Sequence, residues 1–296
     1  MSVDIRDLHI AIGGTPIVHG VDLSIADGER VGLIGSSGSG KSMIAKAMLG
    51  LLPAEASVSG VIRLGDMTVA DAQTGASAKS RGRMAGHGYA VTDRQLAELR
   101  GRYVGTVFQN PAAALNPVTT VAKQIALPLR LHYDLTKAER AERVAAMLAK
   151  VGLEPSEVAD KYPHELSGGQ QQRVGIAAAL ITSPRLIIAD EPTTALDSIT
   201  QRQIVDLLVS LVDDAGASML FITHDFSVLS RATTRSVVLE AGRIVETGRT
   251  VDLLAAPGSP ETERLVYAAR SLTLAAGDVS GAGELGAGVL RSEAES

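Results

Sequence analysis

Eight residues constrain this chain more than any others: Gly35-Ser36-Ser37-Gly38-Ser39-Gly40-Lys41-Ser42, which fit the pattern G-x-x-x-x-G-K-[S/T]. The pattern has meaning only between a strand and a helix. Here Arg30-Val-Gly-Leu-Ile-Gly35 reads as a short buried strand leading into it, and Ser42 to Leu52 has helical character behind it. A strand, a glycine loop and a helix in that order open a P-loop α/β domain. Such glycines let backbone N–H groups turn inward around a phosphate, aided by the positive end of the following helix. Lys41 would then reach the β- and γ-phosphates of a bound nucleotide, and Ser42 would hold Mg²⁺. The plain alternative, a flexible Gly/Ser turn, is disfavoured by the flanking strand and helix.

The rest of the chain is organised around that unit. Val3, Ile5, Leu8, Ile10 and Ile12 alternate with polar residues, Gly13-Gly14 breaks the run, and Val21, Leu23 and Ile25 resume it, which predicts an antiparallel hairpin or meander. Residues 71 to 92 turn to Gly, Ala, Ser and scattered basic residues with no apolar period, and read as an exposed, mobile insertion. A helix is expected over 135 to 151, with Val144, Met147, Leu148 and Val151 as its apolar stripe and Gly152 as its stop. Another is expected from Gln170 to Ile181. Leu186-Ile-Ile-Ala189 and Ser218-Met-Leu-Phe-Ile222 read as buried parallel strands, whose C-terminal ends are where open α/β sheets bind ligands. Beyond Gly277 the tail is Gly, Ala, Ser and Glu and is expected to be disordered.

Composition removes several classes of chemistry. The 296 residues contain no cysteine, so disulfides, thiolate metal sites, iron–sulfur clusters and Cys nucleophiles are excluded. A net charge of −5 gives no overall basic field of the kind that nucleic-acid binding exploits. The N-terminus carries two acids and no apolar stretch, so no secretory signal is expected and the chain should stay inside the cell. No window approaches the ~18 to 20 consecutive apolar residues of a membrane helix. Any membrane role must come through partners.

The second chemical signal is Leu186-Ile-Ile-Ala-Asp190-Glu191, an apolar strand ending in two acids. A strand end is rigid, so Asp190 can hold the Mg²⁺ shell beside Lys41 and Ser42. Glu191 is then placed to orient or deprotonate a water against the γ-phosphate. Two acids after a strand alone would more often be a solvated turn; the glycine loop is what changes their reading.

Kinases, GTPases and helicases share those two elements, and a third distinguishes among them: Leu166-Ser167-Gly168-Gly169-Gln170, followed by Gln171-Gln172-Arg173-Val174. Here the chain resembles the ABC ATPase family, whose signature reads LSGGQ before a helix. A Ser-Gly-Gly turn at a helix start is a second anion cradle, and one chain has no use for two cradles on one γ-phosphate. In the family, two subunits pair head to tail and the signature of one closes over the ATP of the other. Gln109 resembles the Q-loop glutamine that senses Mg²⁺ and water, Ala195-Leu196-Asp197 the D-loop, and His224 the switch histidine on the γ-phosphate. The resemblance implies a RecA-like P-loop core with an N-terminal antiparallel β-subdomain and an α-helical signature subdomain at about 110 to 170. It covers roughly residues 1 to 250, leaving 251 to 296 as a C-terminal extension.

Flanking words narrow the resemblance. Arg100-Gly101-Arg102, Phe108-Gln-Asn-Pro111, Leu115-Asn-Pro117, Tyr162-Pro-His-Glu-Leu166, Ala189 to Asp197 and Ser259-Pro260-Glu-Thr262-Glu-Arg264-Leu265 are similar to the oligopeptide, dipeptide and nickel importer ATPases of bacteria. That implies ATP and Mg²⁺ as cofactors, a second and different ATPase chain, two membrane permease subunits and an extracytoplasmic binding protein, with this chain at the cytoplasmic face of the membrane and no nucleic acid bound. The solute would be a peptide or a related small molecule such as nickel or a metal chelate. Two departures stand out: many members carry a C-terminal cysteine cluster, and most place an aromatic on adenine where this chain has Ile12. ABC ATPases that act on DNA or ribosomes are the alternative class, but they typically insert long coiled coils or carry two ATPase domains, and this chain has neither.

Overall fold

Alternation in the first 25 residues is realised as a pair of long antiparallel strands, β1 (Val3–Ile12) and β2 (Thr15–Ile25). The computed structural model describes residues 1–71, 88–193 and 196–281. Val3, Ile5, Leu8 and Ile10 of β1 are buried, and the alternation slips once, at Asp7, where the chain takes a positive φ of 46° and the register shifts. Strands β4 (Ala56–Leu64) and β5 (Met67–Asp71) extend the hairpin to a four-stranded sheet of order β2-β1-β4-β5. Gly60 of β4 faces the slip: a Cβ there would lie 2.2 Å from the Asp7 carbonyl oxygen, so only glycine lets β4 pass the bulge.

The second sheet is the frame of the molecule. Its order is β10-β9-β3-β8-β7-β6, built from β3 (Arg30–Ile34), β6 (Val104–Val107), β7 (Leu186–Asp190), β8 (Ser218–Thr223), β9 (Arg235–Glu240) and β10 (Arg243–Arg249). All neighbours are parallel except the β9–β10 edge. Its central strands carry apolar side chains on both faces, Ile187 and Ile188 of β7 or Leu220 and Phe221 of β8, because both faces are covered. Leu186, Ile188, Leu220 and Ile222 join one core cluster with β1, β2, β4 and helix α1 (Lys41–Leu49). Ile187, Ala189, Met219 and Phe221 join the other, with the helices on the opposite face. Both expected buried strands are therefore present as β7 and β8, and the α/β class follows.

Helices α3 (Pro111–Ala114), α4 (Val121–His132), α5 (Lys137–Lys150) and α6 (Pro155–Val158) lie between β6 and helix α7 (Gly168–Leu180). Helix α5 starts where Thr136 and Glu139 form a reciprocal capping box, and Val144, Leu148 and Val151 of its expected stripe are buried. No helix among the described residues is long and apolar enough to cross a membrane.

Two expectations need correction. Residues 72–87 of the expected insertion lie outside the described residues, but its last part is anchored, not exposed. Tyr89 is 1% exposed, bridges Ala70, and donates its hydroxyl to the Ala47 carbonyl of α1 at 3.0 Å. Val91 is buried beside it, and Thr92 caps helix α2 (Asp93–Leu99). Two large apolar side chains at alternate positions, tied to β5 by a single bridge, are hidden by a window averaged over their Gly- and Ser-rich neighbours. The tail is also structured further than expected. After helices α8 (Ser198–Asp214), α9 (Phe226–Ala232) and α10 (Thr250–Ala255), helix α11 spans Pro260–Gly281, with Val266 and Ala269 buried in the core. Residues 282–296 lie outside the described residues.

Tyr89→Ala should cost about 3 to 5 kcal/mol of unfolding free energy by leaving a cavity under α1. Tyr89→Phe should cost only about 1 kcal/mol, the hydroxyl's hydrogen bond. Urea unfolding of the two variants checks the ranking; equal, negligible losses would mean the segment is not anchored.

Candidate functional site

At the end of β3 the chain must pass directly beneath the β9–β10 turn. A Cβ on Gly35 would sit 2.1 Å from the Leu239 carbonyl oxygen, so the loop can start only with glycine. It then winds through Gly38 and Gly40, at φ 82° and 108°, before α1 begins at Lys41. Gly242 donates its N–H to the Ser39 carbonyl at 2.9 Å and fixes the loop from outside. Lys41 is buried, and its Nζ donates to the carbonyl oxygens of Gly35 at 2.8 Å and Ser36 at 2.9 Å. Burial pulls this ammonium below the usual lysine range, while the carboxylates of Glu191, Asp190 and Glu261 pull it back.

Across from the loop stand the acids of β7. Ser42 donates its hydroxyl to Asp190 Oδ1 at 3.1 Å, joining α1 to the strand end. Burial raises the Asp190 carboxyl above the usual range and the neighbouring Glu191 charge adds to this, while the Ser42 hydrogen bond and the cations of Lys46 and Lys41 oppose it. Glu191 leaves the strand at φ 46°, a left-handed conformation that costs a non-glycine residue on the order of 1 kcal/mol or more. Its N–H is held by the Ile222 carbonyl of β8 at 2.9 Å. Its carboxylate receives Gln109 Nε2 at 2.8 Å from beyond β6, and lies 3.1 Å from His224 Nδ1 beyond β8. Four expected site residues, Lys41, Gln109, Glu191 and His224, thus come from the C-terminal ends of β3, β6, β7 and β8, where an open parallel sheet presents ligand sites.

A cleft of about 460 Å³ opens between these groups, lined by Ser37, Gly38, Gly40, Lys41, Ser42, Gln109 and Glu191 together with Ile12, Ile17 and Met43. Gly35 and Ser39 are buried in the loop and Ser36 is exposed, and none of the three lines the cleft. Ile17 and Met43 are additions that the sequence reading missed; the signals were the alternation of β2 and the position next to Ser42. The donor set suits a nucleotide: backbone amides and one ammonium for phosphate, and hard oxygens on Ser42 and Asp190 for Mg²⁺. No group of three or more His, Asp or Glu side chains fit to hold a metal occurs among the described residues.

The signature residues are elsewhere. Ser167 caps α7, its hydroxyl accepting the Gln170 N–H while Gln170 Oε1 accepts the Ser167 N–H at 3.0 Å. Gly168 has open space where a Cβ would stand, and Gly169 faces Thr200 of α8. Asp197 caps α8 through the N–H groups of Ile199 and Thr200, and these hydrogen bonds hold its carboxyl below the usual range. None of these five lines the cleft. Ala195 lies outside the described residues.

A glycine loop closing on a lysine, opposite two consecutive acids at the end of one strand, defines a P-loop nucleoside triphosphatase. The ABC transporter family matches residues 18–194. The chain is 39% identical over 269 residues to a probable peptide ABC transporter ATP-binding protein of Sinorhizobium fredii, covering 89% of this chain and 75% of that one. It is 38% identical over 254 residues to the oligopeptide transport ATP-binding protein AppD of Bacillus subtilis, covering 85% and 72%. Among solved structures it is similar to the ATP-binding cassette MJ0796 in a dimeric, post-hydrolysis state bound to ADP and Pi, with a TM-score of 0.68, 29% identity and 84% and 98% coverage. It is also similar to cbiO1 of Clostridium perfringens, part of the ABC transporter complex cbiONQ, with a TM-score of 0.69, 27% identity and 86% and 90% coverage. The chain belongs to the ABC transporter family as an ATP-binding subunit, and it is an ATPase.

Ile12 lines the cleft wall; should the adenine of a bound nucleotide lie against it, isoleucine would offer only apolar contact, whereas an aromatic there would offer a stacking face worth roughly 1 to 3 kcal/mol. Ile12→Tyr is therefore expected to tighten ATP several-fold or more with an unchanged turnover number. Nucleotide titrations check this, and unchanged affinity with a strong ATP-over-GTP preference in the wild type would show that another group holds the base.

Proposed function

We propose that this chain is the ATP-driven motor of an importer for peptides, acting as one half of a head-to-tail ATPase pair. What carries the reading is the convergence of Gln109 and His224 on the Glu191 carboxylate opposite the glycine loop. Such an arrangement aims one base at the place where a water would attack the γ-phosphate. The relatives above, named as peptide and oligopeptide transporters, favour peptides over nickel or a metal chelate as the solute.

On nucleotide binding, Lys41 exchanges the Gly35 and Ser36 carbonyls for the β- and γ-phosphate oxygens, so its positive charge meets negative charge instead of backbone dipoles. Ser42 and Asp190 are the residues that would hold Mg²⁺, which supplies neutralisation of developing phosphate charge when bound. Glu191 accepts the water proton, Gln109 holds one of its carboxylate oxygens, and His224 stands at the other, within reach of the γ-phosphate. The left-handed backbone at Glu191 and its N–H bond to Ile222 fix the carboxylate in advance of that step.

Pairing is supported by the cap at α7. Ser167 and Gln170 satisfy each other, while the first amides of the helix, at Gly168 and Gly169, have no intrahelical acceptor and open space beyond Gly168. A phosphate presented by a second ATPase subunit would meet those amides and the positive end of the helix. Exposed apolar side chains beside Gln109, in the connection before α4 and along α4, namely Phe108, Val118, Leu127 and Leu131, are the face this reading offers to a permease subunit. Through that contact the chain would sit at the cytoplasmic face of the membrane, with an extracytoplasmic binding protein delivering the peptide.

Two experiments test the reading. Glu191→Gln in the assembled complex should keep ATP binding and lower turnover by about two to four orders of magnitude, with ATP-bound dimers persisting; near wild-type hydrolysis would remove Glu191 as the base. Ser167→Arg should stop hydrolysis at the site whose loop belongs to the partner subunit while sparing ATP binding at Lys41. A crosslink from Ser167 to its own Lys41 instead of the partner's loop would contradict the pairing.

A further inference from the structure

The word Ser259-Pro260-Glu261-Thr262-Glu263-Arg264-Leu265 has no part in the ATP chemistry above, yet it returns to the glycine loop from the far end of the chain. Glu261, in the first turn of α11, is only 4% exposed. Its Oε1 accepts the Ser36 N–H at 3.3 Å, and its Oε2 pairs with Arg264 Nη2 at 2.6 Å. The same Nη2 donates to Glu240 Oε1 at 2.6 Å, at the end of β9 and one residue beyond the Leu239 carbonyl that crowds Gly35. Helix α11 is itself pinned at its start: Glu246 of β10 accepts the N–H groups of Gly258 at 2.8 Å and Ser259 at 2.9 Å, and the Thr262 hydroxyl. The carboxylate is therefore presented to the loop by a fixed mount.

Its target is one peptide unit. The carbonyl of Gly35 accepts Lys41 Nζ at 2.8 Å, and the N–H of Ser36, on the other side of the same amide plane, donates to Glu261. Cation, peptide dipole and anion lie in series, each orienting the next. We propose that Glu261 is a positioning residue for the phosphate loop, fixing the rotation of the Gly35–Ser36 peptide plane so that the loop keeps its binding shape when Lys41 leaves for a nucleotide. For stability alone a buried carboxylate close to a site for polyanions is a poor choice, because it is desolvated and repels phosphate. An acceptor held at that one N–H gives it a use. Its charge also supports the protonated form of Lys41, after the larger contributions of Glu191 and Asp190.

Two variants of the full chain separate this role from general stability. Glu261→Gln keeps an acceptor oxygen for Ser36, and Glu261→Ala removes it. The dissociation constant of MgATP, measured by titration, is expected to rise about tenfold in the alanine variant and to stay within about threefold of wild type in the glutamine variant. Turnover at saturating ATP should change by less than twofold, and the nucleotide-free melting temperature should be alike in all three proteins. Wild-type affinity in Glu261→Ala, equal loss in both variants, or a loss that follows a lowered melting temperature would each overturn the proposal. Should Glu261→Ala fail to fold, Glu261→Asp, which withdraws the carboxylate by one methylene, is expected to weaken MgATP similarly, and unchanged affinity there would overturn it.

Discussion

The Lys41 ammonium rests on the carbonyls of Gly35 and Ser36, 5% exposed, and its surroundings keep a positive charge usable away from bulk water. A buried cation is costly unless carbonyls or carboxylates face it. The loop itself supplies the carbonyls, those of Gly35 and Ser36, because left-handed backbone at Gly38 and Gly40 lets it fold back over its own lysine. Asp190 and Glu191 supply the charge from β7. The loop's shape and the acids' placement are thus two halves of one electrostatic requirement, and a triphosphate with its metal satisfies the same requirement from outside.

The sheet makes this possible through its order. β3 lies between β9 and β8, and β7 lies beyond β8, so the loop after β3 and the acids after β7 are separated by one strand. Glu191 crosses part of that gap by hydrogen-bonding its N–H to Ile222, and the adoption of φ 46° is the consequence. A strand ending in ordinary extended geometry would carry the carboxylate straight on toward solvent. Backbone strain here does the aiming, and the two apolar core layers that grip β7 and β8 supply the stability that offsets it.

Much of this was legible because the signals are local. The loop spacing, the apolar run before Asp190 and the apolar stripe ending at Gly152 each occupy a short stretch of chain, and local propensity and local chemistry agree there. What was not legible depends on distance along the chain. Gln109 and His224 stand 82 and 33 residues from Glu191, and their resemblance to family landmarks supplied roles but no contact. Tyr89 was lost for another reason: its partners, Ala70 and the Ala47 carbonyl, lie in other elements, and composition alone assigned its neighbourhood to an insertion. Glu261 illustrates the same limit, since nothing around it in sequence indicates a glycine loop 225 residues away.

Capping chemistry also explains why the signature and the D-loop aspartate were readable as motifs without lying in this chain's own cleft. Ser167 and Asp197 each do an ordinary structural task, Ser167 accepting the Gln170 N–H in the first turn of α7 and Asp197 those of Ile199 and Thr200 in the first turn of α8, and Gly169 packs on Thr200 so that the two helix starts abut. A cap with its own acceptors in place cannot collapse onto nearby polar groups, and it presents the helix's positive end outward as a rigid surface. Flexible glycines alone would lose that geometry to conformational entropy. The local hydrogen bonds therefore preorganise an outward-facing surface, and in the pairing proposed above it would meet a phosphate held by another subunit.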